Sequence, residues 1–156
     1  MVNVKDFCIH RNKMKKVAFL LLSILFFGCA GDDRPNQCSF LLNVGVNFNV
    51  NLNLPQFNQL QFPVNAVRVE GPGNNGLILV AVNSGTIRAW DGSDPNHAPS
   101  SCSGLMINGL TATCGCPDGN EYELLSGQIV GNNPQPCTLR EYRVTALGNN
   151  QFVVNN

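Results

Sequence analysis

The sequence predicts an all-β fold, an antiparallel β sandwich or barrel, from two patterns. From Val44 to Leu54 every even-numbered residue is apolar and every odd-numbered residue is glycine or asparagine. Strict alternation of this kind is typical of a β-strand with one face on the core and the other in water. Further along the chain, short apolar segments are separated by turn residues, and no segment has a sustained helical period with caps.

The first predicted strand ends at Pro55, because proline lacks the N–H group that a strand would use. Its polar positions form a ladder of asparagines, Asn47, Asn49, Asn51 and Asn53. We interpret this ladder as the solvated face of a sheet. A ligand-binding face and a prion-like tract are the alternative interpretations.

Eight further short strands are predicted between turn residues. Two of the connections, at 83–85 and 148–150, are predicted hairpin turns because they combine glycine and asparagine. The predicted strands are Ala66–Val69, Leu77–Val82, Thr86–Trp90, Leu105–Ile107, Leu110–Thr113, Glu121–Leu125, Tyr142–Leu147 and Phe152–Val154. Short strands at such close spacing favour a sandwich or barrel.

The N-terminus has the three parts of a secretory signal. Basic residues at 13–16 precede the apolar run Val17–Phe27, which Gly28 and Cys29 follow. The run is eleven residues long, counted from 17 to 27, whereas a membrane-spanning helix needs roughly 20. We therefore expect residues 1–28 to be a signal peptide, with Met14 as an alternative start.

The end of this run resembles the lipobox of bacterial lipoproteins, whose invariant cysteine is lipidated and becomes the mature N-terminus. Phe27 occupies a position where that motif usually has a small residue. The resemblance implies cleavage before Cys29, a lipid anchor on it, and a polar tether at 29–37. An ordinary signal peptide with a chance cysteine is the alternative. Asp32 and Asp33 resemble surface-export tags, so the expected location is the outer membrane of the cell envelope, on either side.

Removal of residues 1–28 leaves 128 residues (156 − 28), which is enough for one β domain at 38–156. The mature chain keeps five arginines and nine acidic residues, so its net charge is −4 (5 − 9). This charge argues against nucleic acid and anionic lipid headgroups as partners, because both bind a basic surface. The lipid remains the expected membrane contact, and a protein or small-molecule partner is left open.

Export would place the remaining cysteines in an oxidising compartment, where thiols tend to pair. Besides Cys29 the mature chain has five: Cys38, Cys102, Cys114, Cys116 and Cys137. An odd number allows at most two disulfides and leaves one thiol. Four of the five lie with His97 between residues 91 and 139. By itself this segment could be a metal site, a disulfide knot or both.

The chain from Trp90 to Val144 resembles the Rieske iron–sulfur domain. WDGSDPNHAPSSC, at 90–102, stands where the first cluster-binding box of that family lies. CGCPDGNEYELLSGQIV, at 114–130, stands where the second box and the following strand lie, and sixteen residues separate His97 from Cys114, as the family spacing requires. GNNPQPCTLREYRV, at 131–144, is similar to the proline loop and closing strands. The resemblance implies a Rieske-like β domain.

Rieske domains bind a [2Fe–2S] cluster through two cysteines and two histidines. On the family spacing, Pro95 replaces the cysteine of the first box and Pro117 the histidine of the second, and proline has no ligating atom. His97 and Cys114 alone leave each iron one protein ligand short. We therefore expect no cofactor and a cluster-less domain that acts in binding or structure. The alternative is an electron-transfer protein that keeps a [2Fe–2S] cluster with atypical ligands, His97 and Cys114 among them.

The resemblance also implies disulfide pairs. In the disulfide-bearing members the second cysteine of each box forms a bond between the two cluster loops, and Cys102 and Cys116 match those positions. Cys137 lies in the proline loop, which covers the cluster in the family. Our hypothesis is that Cys114 and Cys137 form a second disulfide across the site. Cys38 would then be the odd cysteine, free or intermolecular.

The other candidate residues are interpreted as structural. His97 is interpreted as a hydrogen-bonded loop residue, and Trp90 and Tyr122 as core aromatics. Asp94 and Asp118 would approach a cluster only with a shifted register. With one histidine in the mature chain and no G-x-S-x-G motif, no catalytic residue and no enzyme activity is expected.

Overall fold

The computed structural model describes residues 38–131 and 134–156, and ten antiparallel strands with one short 3₁₀ helix form the regular structure of this part. The strands are β1 Asn47–Asn51, β2 Ala66–Val69, β3 Leu77–Asn83, β4 Thr86–Asp91, β5 Leu105–Asn108, β6 Thr111–Cys114, β7 Glu121–Glu123, β8 Ile129–Val130, β9 Glu141–Gly148 and β10 Gln151–Asn155. The 3₁₀ helix is Asn58–Gln61. The all-β prediction is therefore confirmed. The predicted signal peptide at 1–28, Cys29 and the tether to residue 37 lie outside the described residues.

The strands form two sheets. One has six strands in the order β1-β10-β9-β4-β3-β2, and the other has four in the order β5-β6-β7-β8. Strands β4 and β9 are neighbours in the larger sheet, so the whole four-stranded sheet is inserted in the chain between two paired strands. Both sheets belong to one compact unit of the described residues.

Strand β3 is buried on both of its faces. Leu77 and Leu79 point into one apolar core, while Ile78 and Val80 point into another. A strand with two buried faces needs apolar residues at consecutive positions, which explains the unbroken apolar run of β3. The first core also contains side chains from β1, β10 and the 3₁₀ helix. The second lies against β5, β6 and β7.

The alternating segment at 44–54 forms a shorter strand than predicted. Its even-numbered side chains are buried or half-buried up to Leu52, and its asparagines are exposed except for the half-buried Asn51. The strand ends at Asn51 because its carbonyl accepts the N–H of Leu54 and its side-chain oxygen accepts the N–H of Asn53. These two hydrogen bonds turn the chain just before Pro55.

The other eight predicted strands are present, with ends that differ by at most two residues. Both predicted hairpins are present, and their turns contain Gly85, Asn149 and Asn150 with positive φ. Two elements are missing from the predictions, β8 and the 3₁₀ helix. Each is too short to give a periodic pattern. Within the described part of the chain, no helix is long and apolar enough to span a lipid bilayer.

Candidate functional site

Three loops carry the residues that the sequence singles out. The first loop, 92–104, connects β4 to β5, and the second loop, 115–120, connects β6 to β7. The third loop is described at 134–140 and leads into β9. Disulfides and side-chain hydrogen bonds join all three, so the inserted sheet brings them together as one candidate site.

Two disulfides hold these loops. Cys102 and Cys116 are bonded, which is the pair that the resemblance implies, and they join the first loop to the second. Cys137 of the third loop is bonded to Cys38. The predicted Cys114–Cys137 bond is therefore wrong, and so is the assignment of Cys38 as the odd cysteine. Cys114 is instead a buried free thiol.

The path of the chain after residue 38 explains this correction. Arg140, at the end of the third loop, donates hydrogen bonds to the carbonyl of Leu42 at 2.7 Å and to the side-chain oxygen of Asn43 at 2.8 Å. These contacts hold the start of the domain against the third loop. Cys38 and Cys137 consequently have Cα atoms 5.4 Å apart, a normal separation for a disulfide.

Asp94 is a fully buried carboxylate in the first loop, with 0 % of its surface exposed. Its Oδ1 accepts the backbone N–H of Asn96 at 2.8 Å and the hydroxyl of Tyr122 at 2.6 Å. Its Oδ2 accepts the side-chain amide of Asn120 at 3.0 Å. A buried carboxylate requires such donors, because removing its charge from water is costly otherwise. Asp94 therefore joins the first loop to the second loop and to β7.

Asn96 connects this network to the third loop. Its side-chain oxygen accepts the N–H of Cys137 at 3.1 Å, and its Nδ2 donates to the carbonyl of Cys137 at 2.9 Å. The same amide donates to the Tyr122 oxygen at 2.8 Å. The Cys38–Cys137 disulfide and the Asp94 carboxylate are thus held by one continuous set of contacts.

His97 lies between two carboxylates. Its Nε2 is 2.7 Å from Oδ2 of Asp118 and 3.9 Å from Oδ2 of Asp94. The possible ligand atoms of these three residues all lie within 4.8 Å of one another, and a ring nitrogen of His97 is also within 4.8 Å of the Cys114 sulfur. The side chains of His97 and Asp118 are each 31 % exposed. The cluster therefore has a buried floor, Asp94 and Cys114, and a solvent-accessible rim.

The donor set of this cluster does not fit a Rieske [2Fe–2S] centre, which needs two thiolates and two imidazoles. Within the described residues, His97 is the sole imidazole and Cys114 the sole free thiol. Cys102 and Cys116 are already joined to each other. The remaining donors are carboxylates, which iron bridged by sulfide accepts poorly in place of thiolate and imidazole.

The Cys114 thiol is protonated at neutral pH. Its pKa is raised from 9.0 to about 12, chiefly by burial, with the N–H of Cys116 acting to lower it and the Asp94 carboxylate acting to raise it. That N–H lies 3.4 Å from the sulfur, which in turn is 3.7 Å from the Cys102 carbonyl oxygen. Because the thiolate is the nucleophile, a thiol in this state is poorly reactive.

Two tyrosines share the same relation to a buried carboxylate. Burial raises the pKa of Tyr122, and the hydrogen bond that it donates to Asp94 raises that pKa further. Burial likewise raises the pKa of Tyr142, which donates to Oδ2 of Asp91 at 2.6 Å. These two phenols and the Cys114 thiol all keep their protons in the folded state when the unfolded chain would lose them.

We expect the free energy of unfolding to fall as the pH rises above 9. In the unfolded chain the thiol of Cys114 loses its proton near its ordinary pKa of 9.0, whereas the folded protein keeps it to about pH 12. The unfolded state then binds fewer protons, so stability falls with pH in that window. Urea unfolding followed by circular dichroism between pH 7 and pH 10 measures this dependence. The Cys114→Ala variant should show a shallower decline, and equal slopes for both proteins would contradict the assignment.

An open groove of about 670 Å³ lies beside the Cys102–Cys116 disulfide. Arg68 is the charged residue of its wall, and the guanidinium donates to the carbonyls of Leu105 and Asn75, each at 2.7 Å. The side chain is therefore engaged in holding neighbouring segments together.

Sequence reasoning considers Asp94 and Asp118 singly and misses the hydrogen-bond network that joins Asp94 to the loop residues Asn96 and Asn120 and the contact of Asp118 with His97. Their sequence context, with prolines at 95 and 117 and a glycine at 119, is typical of turns. It predicts where the chain bends and gives no sign that one carboxylate is buried. Tyr122 was expected in the core and is fully buried there, but its hydroxyl also binds Asp94.

Comparisons with known proteins give no relative for this chain. No protein-family model matches it, and no curated protein or solved structure matches it significantly. The likeness to Rieske domains therefore remains a prediction from the motifs at 90–102 and 114–144.

Proposed function

We propose that the chain is a lipid-anchored envelope protein whose Rieske-like β domain acts in binding or in envelope structure without a [2Fe–2S] cluster. The observation that carries the proposal is the bonding state of the cysteines. Of the five in the described residues, four are paired in disulfides and Cys114 alone is free. Sulfur atoms bonded to each other are not the thiolates that a cluster requires.

The disulfides also support the export part of the proposal. Disulfides form and persist outside the reducing cytosol. Two of them in a domain of about 120 residues fit a chain that is secreted through a signal peptide and held by lipid on Cys29. The net charge of −4 expected for the mature chain (5 − 9) fits a protein that contacts the membrane through its anchor.

The rival function, electron transfer through a cluster with atypical ligands, requires carboxylates in place of the missing cysteine and histidine. Asp94 is the buried candidate, and both of its oxygens already accept hydrogen bonds, from Asn96, Asn120 and Tyr122. Asp118 is bound to His97. Carboxylates are poor replacements for thiolate and imidazole on sulfide-bridged iron, which favours the cluster-less alternative.

The proposal is tested on the full chain extracted from membranes in detergent. We expect a colourless protein with neither iron nor acid-labile sulfide in stoichiometric amount, and we expect the Cys29→Ser variant to leave the membrane fraction. Two irons and two sulfides per chain, with thiolate-to-iron absorption bands, would refute the cluster-less domain. Retention of Cys29→Ser in the membrane fraction would refute the anchor.

A further inference from the structure

We propose that Asp94, His97 and Asp118, with Cys114 as a fourth donor, form a binding site for one divalent transition-metal ion of the zinc type. The inference rests on the proposed absence of a [2Fe–2S] cluster, because a cluster would occupy His97 and Cys114. It adds a ligand class to a domain for which binding is otherwise unspecified.

The separations among three of the donors, Asp94, His97 and Asp118, suit a single ion, and the Cys114 sulfur lies within 4.8 Å of a ring nitrogen of His97. Metal bonds of about 2.0–2.3 Å in a tetrahedral site place the donor atoms roughly 3.3–3.7 Å apart. Here Nε2 of His97 lies 2.7 Å from Asp118 and 3.9 Å from Asp94, and the donors of this triad all lie within 4.8 Å. Movements on the order of 1 Å would bring these three donors to tetrahedral separations. The two side chains that would move, His97 and Asp118, are the partly exposed ones.

The buried half of the site is already oriented. Oδ2 of Asp94 faces Nε2 of His97 at 3.9 Å, which is too long for a hydrogen bond and leaves room for an ion between them. The carboxylate itself is fixed by Tyr122 and Asn120. Hydrogen bonds to ligating carboxylates in this manner hold the ligands of metal sites in position.

The kinds of donor select the class of ion. One imidazole, two carboxylates and one thiol match the nitrogen, oxygen and sulfur ligands of Zn²⁺. Calcium and magnesium prefer sites made of oxygen alone. The site therefore favours zinc or a similar transition metal over the abundant divalent ions of the cell envelope.

Cys114 gives a second, independent indication. It is the one cysteine of the described residues that is not oxidised, and it is buried directly beside His97. A thiol ligand is deprotonated when it binds the metal. Binding would thus form a sulfur–metal bond, release the thiol proton to solvent, and use the neutral form of His97.

The test uses the full-length protein in detergent, stripped of metal with a chelator and titrated with Zn²⁺ by calorimetry. We expect one ion per chain, and His97→Gln and Asp118→Asn each to weaken the affinity at least about tenfold, since changes even to the outer shell of metal sites cost about 10–100-fold. Glu121→Gln removes a carboxylate of β7 that is not part of the cluster and should leave the affinity unchanged. Circular dichroism confirms that each variant is folded.

Cobalt(II) reports which atoms bind. The wild-type protein should show a thiolate-to-cobalt absorption band that Cys114→Ser lacks while it still binds the ion more weakly. Absence of saturable Zn²⁺ binding, or equal affinity in His97→Gln and Glu121→Gln, would overturn the site even if iron and sulfide are absent. Stoichiometric iron and sulfide would instead overturn the cluster-less function on which the site rests, so the two failures are distinguishable.

Discussion

Replacement of Trp90 by alanine lowers the free energy of unfolding by about 3–5 kcal/mol, the usual cost of truncating a buried aromatic residue. Trp90 is 2 % exposed and lies in the core between β4 and the four-stranded sheet. Its indole N–H donates to the carbonyl of Leu124 at 2.8 Å, and Arg88 lies over its ring at 4.4 Å. The variant loses apolar contacts and also leaves a buried carbonyl without its donor.

Urea unfolding followed by circular dichroism measures this loss, because Trp90 is the only tryptophan and fluorescence disappears with it. The Trp90→Phe variant is the matched control. It keeps a ring in the core but lacks the N–H, so it should lose less than the alanine variant. A loss below about 1 kcal/mol for Trp90→Ala would place the residue outside the core.

Removal of the Cys38–Cys137 disulfide is expected to destabilise the protein by about 4–5 kcal/mol, whereas removal of Cys102–Cys116 should cost about 3 kcal/mol in the loop-entropy model. The first bond closes a sequence separation of 99 residues and the second one of 14. A longer closed loop restricts the unfolded chain more, so its removal releases more conformational entropy. The order of the two losses is the main expectation.

Paired cysteine-to-serine substitutions measure this order by urea unfolding. Both double variants are made in a Cys114→Ala background, so that the free thiol cannot exchange with the remaining disulfide. A larger loss for the Cys102–Cys116 pair than for the Cys38–Cys137 pair would contradict the expectation. It would show that native contacts of the first two loops outweigh the effect of loop length.

Much of the strand content follows from local pattern. The alternation before Pro55 and the glycine–asparagine turns at 83–85 and 148–150 depend on neighbouring residues, so they can be read without the fold. The partition of the strands into two sheets cannot be predicted in this way, because β4 pairs with β9 and all four strands of the other sheet lie between them in the sequence. The sequence of neither strand indicates which distant strand it pairs with. The two-residue strand β8 exists through its pairing with β7.

The candidate site likewise has features that a sequence motif predicts and features that depend on the folded chain. The Cys102–Cys116 bond was expected because both cysteines occupy positions that a family motif assigns, whereas the partner of Cys137 depends on how the domain start returns to the third loop. Arg140 holds the two segments together through its hydrogen bond to the carbonyl of Leu42, a contact that no sequence pattern predicts. The burial of Asp94 was equally unexpected, since aspartate is almost never fully buried unless it is paired.

The bonding state of the five domain cysteines tests the account most directly. It is measured by alkylating the full chain with one reagent before unfolding and a second reagent after unfolding, digesting it without reduction, and mapping the linked peptides by mass spectrometry. The account predicts Cys38 linked to Cys137, Cys102 linked to Cys116, and Cys114 as a thiol that becomes alkylated only after unfolding. A Cys114–Cys137 link would contradict these pairings, and Cys102 and Cys116 recovered as free thiols would contradict them and also reopen the case for a cluster.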